Sequence, residues 1–166
     1  LFANENGVMA VDARIRVQAR PMHSKPYQHM AIHPYPSELE QHLETHTGLG
    51  LYLRPIRPED AGLEIDFVKH LSQRSRYLRF MNAMEELSPQ MLSRFTQIDY
   101  DREMAFIAIT HNAKQQAVEV GIARYTMNPD GQSCEMAMVV RDDYQHEGIG
   151  KLLLQALIAQ AKSKGL

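Results

Sequence analysis

The chain has 166 residues, 44% hydrophobic and 23% charged, with 18 Lys and Arg against 20 Asp and Glu. A net charge of −2 excludes the basic footprint of a nucleic-acid or anionic-membrane binder, and no apolar run approaches the ~18–20 residues of a membrane helix. The length suits one domain with a real core plus some extra chain, and a single cysteine, Cys134, excludes an internal disulfide and fits a reducing cytoplasm.

Residues 1–20 alternate through Val8, Ala10, Ala13, Ile15 and Val17 behind Asn6 and Gly7, which predicts a turn and a strand without a partner sheet, kinked near Asp12. Residues 21–48 hold Pro21, Pro26, Pro34 and Pro36 and five of the eight histidines, which predicts a linker with extended segments. His29 and His33, and His42 and His46, have the i, i+4 spacing that chelates a metal on a helix. Pro34 and Pro36 argue against a helix for the first pair, neither pair has an evident third ligand, and surface histidines with no metal are expected.

Residues 51–54 read as a short strand. Pro58 at a first helical position, followed by Glu59 and Asp60, opens a helix with Leu63, Phe67 and Leu71 on its apolar stripe. Residues 74–86 read as partly helical, with Arg74, Arg76 and Arg79 on a solvated face. Ser88 and Pro89 open another helix, with Met91, Leu92 and Phe95 inward. The apolar run 104–109 predicts a strand buried on both faces. A polar turn at 111–116 leads to a strand over 117–126, and Asn128-Pro129-Asp130-Gly131 has the chemistry of a type I hairpin turn. Residues 132–140 then return antiparallel, so 103–140 form a three-stranded meander.

That last strand feeds Gln145-His146-Glu147-Gly148-Ile149-Gly150, which fits Q/R-x-x-G-x-G/A. Behind it, Ile149, Leu152, Leu153, Ala156, Leu157 and Ala161 mark one face of a helix. Glycines before a helix start let backbone N–H groups approach an anion where the helix dipole is positive. The pattern is neither a P-loop nor a dinucleotide fingerprint, since no Gly-Lys-Ser/Thr and no third glycine follow.

The stretch resembles motif A of the GNAT superfamily of N-acetyltransferases. Residues 53–60, Ser75-Arg76-Tyr77-Leu78-Arg79-Phe80 and 96–103 are similar to the acetyltransferase domain of large bacterial protein lysine acetyltransferases that carry an ADP-forming acyl-CoA synthetase-like region. The resemblance implies an α/β (α+β) fold, a mixed and mostly antiparallel sheet flanked by helices, seen here as far as the motif A helix. It implies three segments: 1–20, the end of an ATP-grasp-like domain; 21–48, a linker; and 49–166, the acetyltransferase domain. The start at Leu1 and the stop at Leu166 lead us to expect a piece of a longer protein, with no signal peptide.

Acetyl transfer to an amine requires a base, because a lysine with pKa near ~10.4 is protonated at neutral pH. Glu135 is the candidate: a carboxylate in an otherwise apolar strand is costly unless paired or facing a cleft, and partial desolvation suits a base. The matching glutamate is the general base in the resembling enzymes; Glu119 and Glu103 are the fallbacks, and a salt-bridged strand glutamate is the alternative reading. The resemblance places acetyl-CoA, as co-substrate, on Met138, Val139, Val140, Gln145, His146, Glu147, Gly148, Ile149, Gly150 and Lys151. The oxyanion donor is expected at a bulge near Met138 or Val139, and pantetheine pairing at Val139 and Val140. Glu147 stands where many members of the resembling family carry Arg or Lys, so an anion there is expected to disfavour phosphate slightly. Asp99, Asp101 and Glu103 form either an acidic acceptor surface or a solvated turn. The expected partner is a protein with an acceptor lysine, an acyl-CoA synthetase, with homo-oligomerisation open. The alternative functions are an acetyl-CoA-sensing domain and a small-molecule amine acetyltransferase.

Overall fold

Two units divide the chain, residues 1–30 and 31–166. The computed structural model describes residues 2–4, 7–9, 12–14, 30, 32–81 and 86–166. In the first unit Phe2–Asn4 (β1) pairs antiparallel with Gly7–Met9 (β2). The strand expected near residues 8–17 therefore has a partner, and it is shorter than expected: residues 12–14 carry no regular structure, while 10–11 and 15–20 lie outside the described residues.

The second unit begins with a 3-10 turn at Ser37–Leu39 and runs through β3 (Gln41–Glu44), β4 (Gly50–Pro55), α1 (Ala61–His70), α2 (Gln73–Phe80), α3 (Pro89–Thr96), β5 (Glu103–His111), β6 (Ala117–Met127), β7 (Cys134–Val140) and α4 (Ile149–Lys164). The five strands β3 to β7 form one antiparallel sheet in sequence order. β3 revises the reading of 21–48 as linker throughout. The prolines stop at Pro36, so Gln41–Glu44 are free to pair with residues 50–53.

The core follows from alternation along β4, β5 and β6. Leu51, Leu53, Met104, Phe106, Ala108, Ala123 and Tyr125 share a cluster with Ile149, Leu153 and Leu157 of α4. Ala105, Ile107, Ile109 and Ile122 meet Phe67 and Val68 of α1, with Ile56 and Leu71, on the opposite face. The run 104–109 is thus buried on both faces, as its composition predicts. Leu153 is 0% exposed, and cutting such a side chain to alanine typically costs about 2–5 kcal/mol.

Local chemistry sets the helix ends. The Ser72 hydroxyl accepts the Ser75 N–H at 3.1 Å, and the Ser88 hydroxyl accepts the Met91 N–H at 3.2 Å. α2 stops at Met81, which sits in the left-handed region at φ 51°. Ahead of α1, the Asp60 carboxylate accepts the Arg57 N–H at 2.7 Å and both Arg54 guanidinium nitrogens at 2.7 and 2.6 Å. This buried fork ties β4 to the first helix. The hairpin turn at Asn128 closes with the Gly131 N–H donating to the Asn128 carbonyl at 3.0 Å.

Candidate active site

β7 lies at the edge of the sheet, with β6 as its neighbour. Its register on β6 is unbroken, from Gly121 opposite Val140 to Met127 opposite Cys134. The ladder continues at both ends, with Arg141 N–H to the Val120 carbonyl and Asn128 N–H to the Ser133 carbonyl, each 2.9 Å. Antiparallel pairs alternate between bonded and non-bonded. Glu135, Ala137 and Val139 therefore direct N–H and C=O to β6, whereas Cys134, Met136, Met138 and Val140 turn theirs to the open edge.

Two expectations change here. The bulge expected near Met138 is absent from the β6–β7 pairing; the register shift lies instead between β5 and β6 at Ala108 and Ile109, where Val120 is the extra residue. Val139 pairs with Ile122 and has no free N–H, so the outward donors are Met138 and Val140. The Val140 carbonyl accepts from Gln145 Nε2 at 3.2 Å.

Glu135 sits near the start of β7, opposite Thr126, which lies opposite Glu103 on β5. Its side chain is exposed and makes no hydrogen bond or ion pair among the described residues. The burial expected for this carboxylate is absent: Glu135 is exposed. Of the fallbacks, Glu103 accepts from Arg94 Nη1 at 3.1 Å and Glu119 is buried.

Beyond β7 the chain makes a 3-10 turn at Asp142–Tyr144, passes His146 at φ 68° and reaches Gly148 at φ 85°, the residue before α4. The left-handed bend at Gly148 suits glycine. The N–H groups of Gly148, Ile149 and Gly150 meet no acceptor among the described residues, while Lys151 and Leu152 donate to the Gly148 carbonyl at 3.1 and 3.3 Å. Among the described residues no side chain caps α4. The Ile149 side chain is core, 1% exposed, so only its backbone is available to a ligand. Gln145, His146 and Lys151 are exposed around the bend. The arrangement is an anion cradle of backbone donors at a helix start.

The sequence matches the model of the acetyltransferase (GNAT) family over residues 66–166, from within α1 to the end of the chain. The chain belongs to the GNAT acetyltransferase family. It is 37% identical over 118 residues to acetyltransferase PA5475 of Pseudomonas aeruginosa, covering 71% of this chain and 63% of that protein. It is 28% identical over 125 residues to acetyltransferase Pat of Mycolicibacterium smegmatis, covering 75% of this chain and 36% of that one. The chain thus spans less than two thirds of the length of either curated relative. Among solved structures, the GNAT domain of S. lividans PAT superposes with a TM-score of 0.71 at 25% identity, over 80% of this chain and 77% of that domain.

In this GNAT domain three arrangements lay beyond the sequence reading. The β3–β4 turn reaches the cradle: Thr47 Oγ1 donates to the Glu147 carboxylate, and a Cβ built on Gly148 would lie 3.0 Å from His46 Nδ1. A separation of 100 residues hides that pairing from any local pattern. Asp142 binds Ser72 and Ser75 at the start of α2. Glu64 of α1, 2% exposed, meets Glu119 of β6, also 2% exposed. Glu64 Oε2 and both Glu119 oxygens have no hydrogen-bond partner among the described residues; two carboxyls buried this deeply favour holding a proton between them over ionising both. Burial first, then the Glu64 charge, drives the Glu119 carboxyl well above the usual carboxylate range.

The acidic trio is occupied. Asp101 accepts from Lys164 Nζ at 2.8 Å, Asp99 Oδ1 accepts the Asp101 N–H at 3.0 Å, and Glu103 holds Arg94. His42 of β3 stacks on Tyr52 of β4, and His46 lies in the turn between the two strands, so that pair shares no helix. His29 lies outside the described residues. Cys134 is a free, half-buried thiol.

Proposed function

We propose that this domain is an acetyl-CoA-dependent protein lysine N-acetyltransferase. The observation that carries the reading is the continuity of β7 with α4: one strand bears, among the described residues, an unpaired carboxylate at Glu135 and an outward amide at Met138, and it leads into amides at Gly148, Ile149 and Gly150 that are likewise unpaired among those residues. Those last amides suit the diphosphate of acetyl-CoA, with Gln145, Lys151 and the exposed flank of the bend beside it.

On this reading the neutral lysine amine attacks the thioester carbonyl carbon, forming the C–N bond. Glu135 receives the proton lost by the ammonium, directly or through water. The tetrahedral oxyanion accepts the Met138 N–H. The C–S bond then breaks and the second proton on the nitrogen passes through solvent to the departing thiolate, leaving the acetamide and CoA thiol. The similarity of residues 75–80 and 96–103 to large bacterial lysine acetyltransferases supports a protein acceptor, with acyl-CoA synthetases as the class to test first. The same similarity supports a cytoplasmic enzyme whose first unit ends a synthetase-like region.

The test is intact mass of an acyl-CoA synthetase incubated with acetyl-CoA and the full-length protein, wild type or Glu135→Gln. The expected result is addition of one or more acetyl groups by wild type and a rate lower by about 10²–10³-fold in the variant. Acetyl-CoA binding without acetylation of protein or free amines overturns the reading in favour of a sensor domain; acetylation of free amines alone favours a small-molecule enzyme.

A further inference from the structure

The GNAT cradle in this chain has an acid, Glu147, next to the glycine bend. An unopposed carboxylate at a helix start competes with an incoming phosphate for the same amides. The structure shows how the acid is handled. Thr47, in the turn between β3 and β4, donates its hydroxyl to the Glu147 carboxylate. The neighbouring Asp143 is held by Arg141 through two bonds of 2.7 and 2.6 Å. Thr47, Gly48 and Leu49 thereby form one wall, and Asp143, Tyr144 and Glu147 the other, of an open cavity of about 370 Å³ beside the bend. His46 is next in the same turn. Its Nδ1 stands over Gly148, 3.0 Å from where a Cβ would be.

We infer that the β3–β4 turn is the second half of the diphosphate site: His46 contributes a ring N–H to the phosphates of CoA, and Thr47 positions Glu147 away from them. His46 and Thr47 both lie outside the residues matched by the family model. The chemistry is that of anion recognition. Neutral imidazole offers one N–H donor and imidazolium offers two donors and a charge. Backbone amides come from one side and a ring donor from the other, which grips a diphosphate more firmly than a helix start alone. This inference rests on the reading of the cradle as the acetyl-CoA site.

The test uses the full-length protein and two ligands that share the thioester and the pantetheine arm, acetyl-CoA and S-acetylpantetheine, the second without phosphates. His46→Ala is expected to weaken acetyl-CoA binding about tenfold, the loss of one hydrogen bond to a charged group, and to raise KM with kcat kept. S-acetylpantetheine binding stays unchanged, and His46→Lys restores acetyl-CoA affinity. Thr47→Val weakens acetyl-CoA binding, and adding Glu147→Gln recovers it. Equal losses for both ligands, or unchanged acetyl-CoA affinity in His46→Ala, overturn the role of the turn while leaving the cradle in place. A wild-type protein that binds S-acetylpantetheine and acetyl-CoA equally overturns the cradle reading and this inference together.

Discussion

Asp142 reaches back to Ser72 with both carboxylate oxygens. Oδ2 accepts the Ser72 backbone N–H at 2.8 Å, and Oδ1 accepts the hydroxyls of Ser72 and Ser75 at 2.9 and 2.8 Å. One side chain after β7 thus anchors the N-terminal turn of α2, the helix that packs near β7. The same carboxylate supplies the negative charge that a helix start favours.

Removing that anchor, as in Asp142→Asn, is expected to reduce stability by about 1 kcal/mol, since the group is exposed and solvent screens much of its charge. Burial alone would raise the Asp142 carboxyl; the bonds from Ser72 and Ser75 outweigh it and hold the carboxyl below its ordinary value. A carboxyl lowered in the folded state stabilises the fold above its unfolded pKa, and this contribution fades as pH falls through the folded value. Urea midpoints of wild type and variant should differ most at neutral pH and converge below about pH 4.

The Glu64–Glu119 pair has the opposite sign. The Glu119 carboxyl is raised, so the folded state keeps a proton that the unfolded chain releases above about pH 4.3. This group therefore makes the fold less stable as pH rises from there toward the folded value. Glu119→Gln keeps an amide donor for Glu64 and removes the ionisation. It is expected to raise stability by about 1–3 kcal/mol at pH 8 and to flatten the decline between pH 5 and 8. Denaturant midpoints across that range measure it; a variant less stable than wild type at pH 8 refutes the shared-proton account.

The parity of β7 predicts a contrast between adjacent prolines. Met138→Pro removes an outward N–H and no rung to β6, so the fold should survive with a loss of about 1–2 kcal/mol. Acetyl transfer should fall by about 10²–10³-fold, the usual effect of deleting one oxyanion donor. Val139→Pro removes the rung to Ile122 and should cost about 3 kcal/mol or more. Thermal melts with single-turnover rates separate the two. Equal activity in Met138→Pro and wild type removes Met138 from the reaction.

Much of this architecture is visible in the residues themselves. Met104 to Ile109 could only be a doubly buried strand, Asn128 to Gly131 could only turn, and the spacing from Ile149 to Ala161 fixed both the last helix and the bend before it. What stayed hidden depends on partners distant in sequence. β3 is four residues long and follows a proline-rich stretch, so nothing local distinguishes it from extended linker. Glu119 reads in sequence only as a fallback base, and its burial against Glu64 shows once α1 is packed on β6. The cap that Ser72 makes on α2 went unread, and its partner Asp142 lies 70 residues away. The division of β7 into inward and outward amides needs the pairing register, which side-chain pattern does not encode.

The donor assigned to Met138 belongs to the polypeptide and not to a side chain. Ordinary alanine scanning along this strand would pass over it, because every residue but proline supplies the same hydrogen. The position is therefore free to drift between thioether, aliphatic and small residues over evolutionary time without disturbing chemistry. Only an amide-to-ester exchange, or a cyclic imino acid, reads its contribution directly.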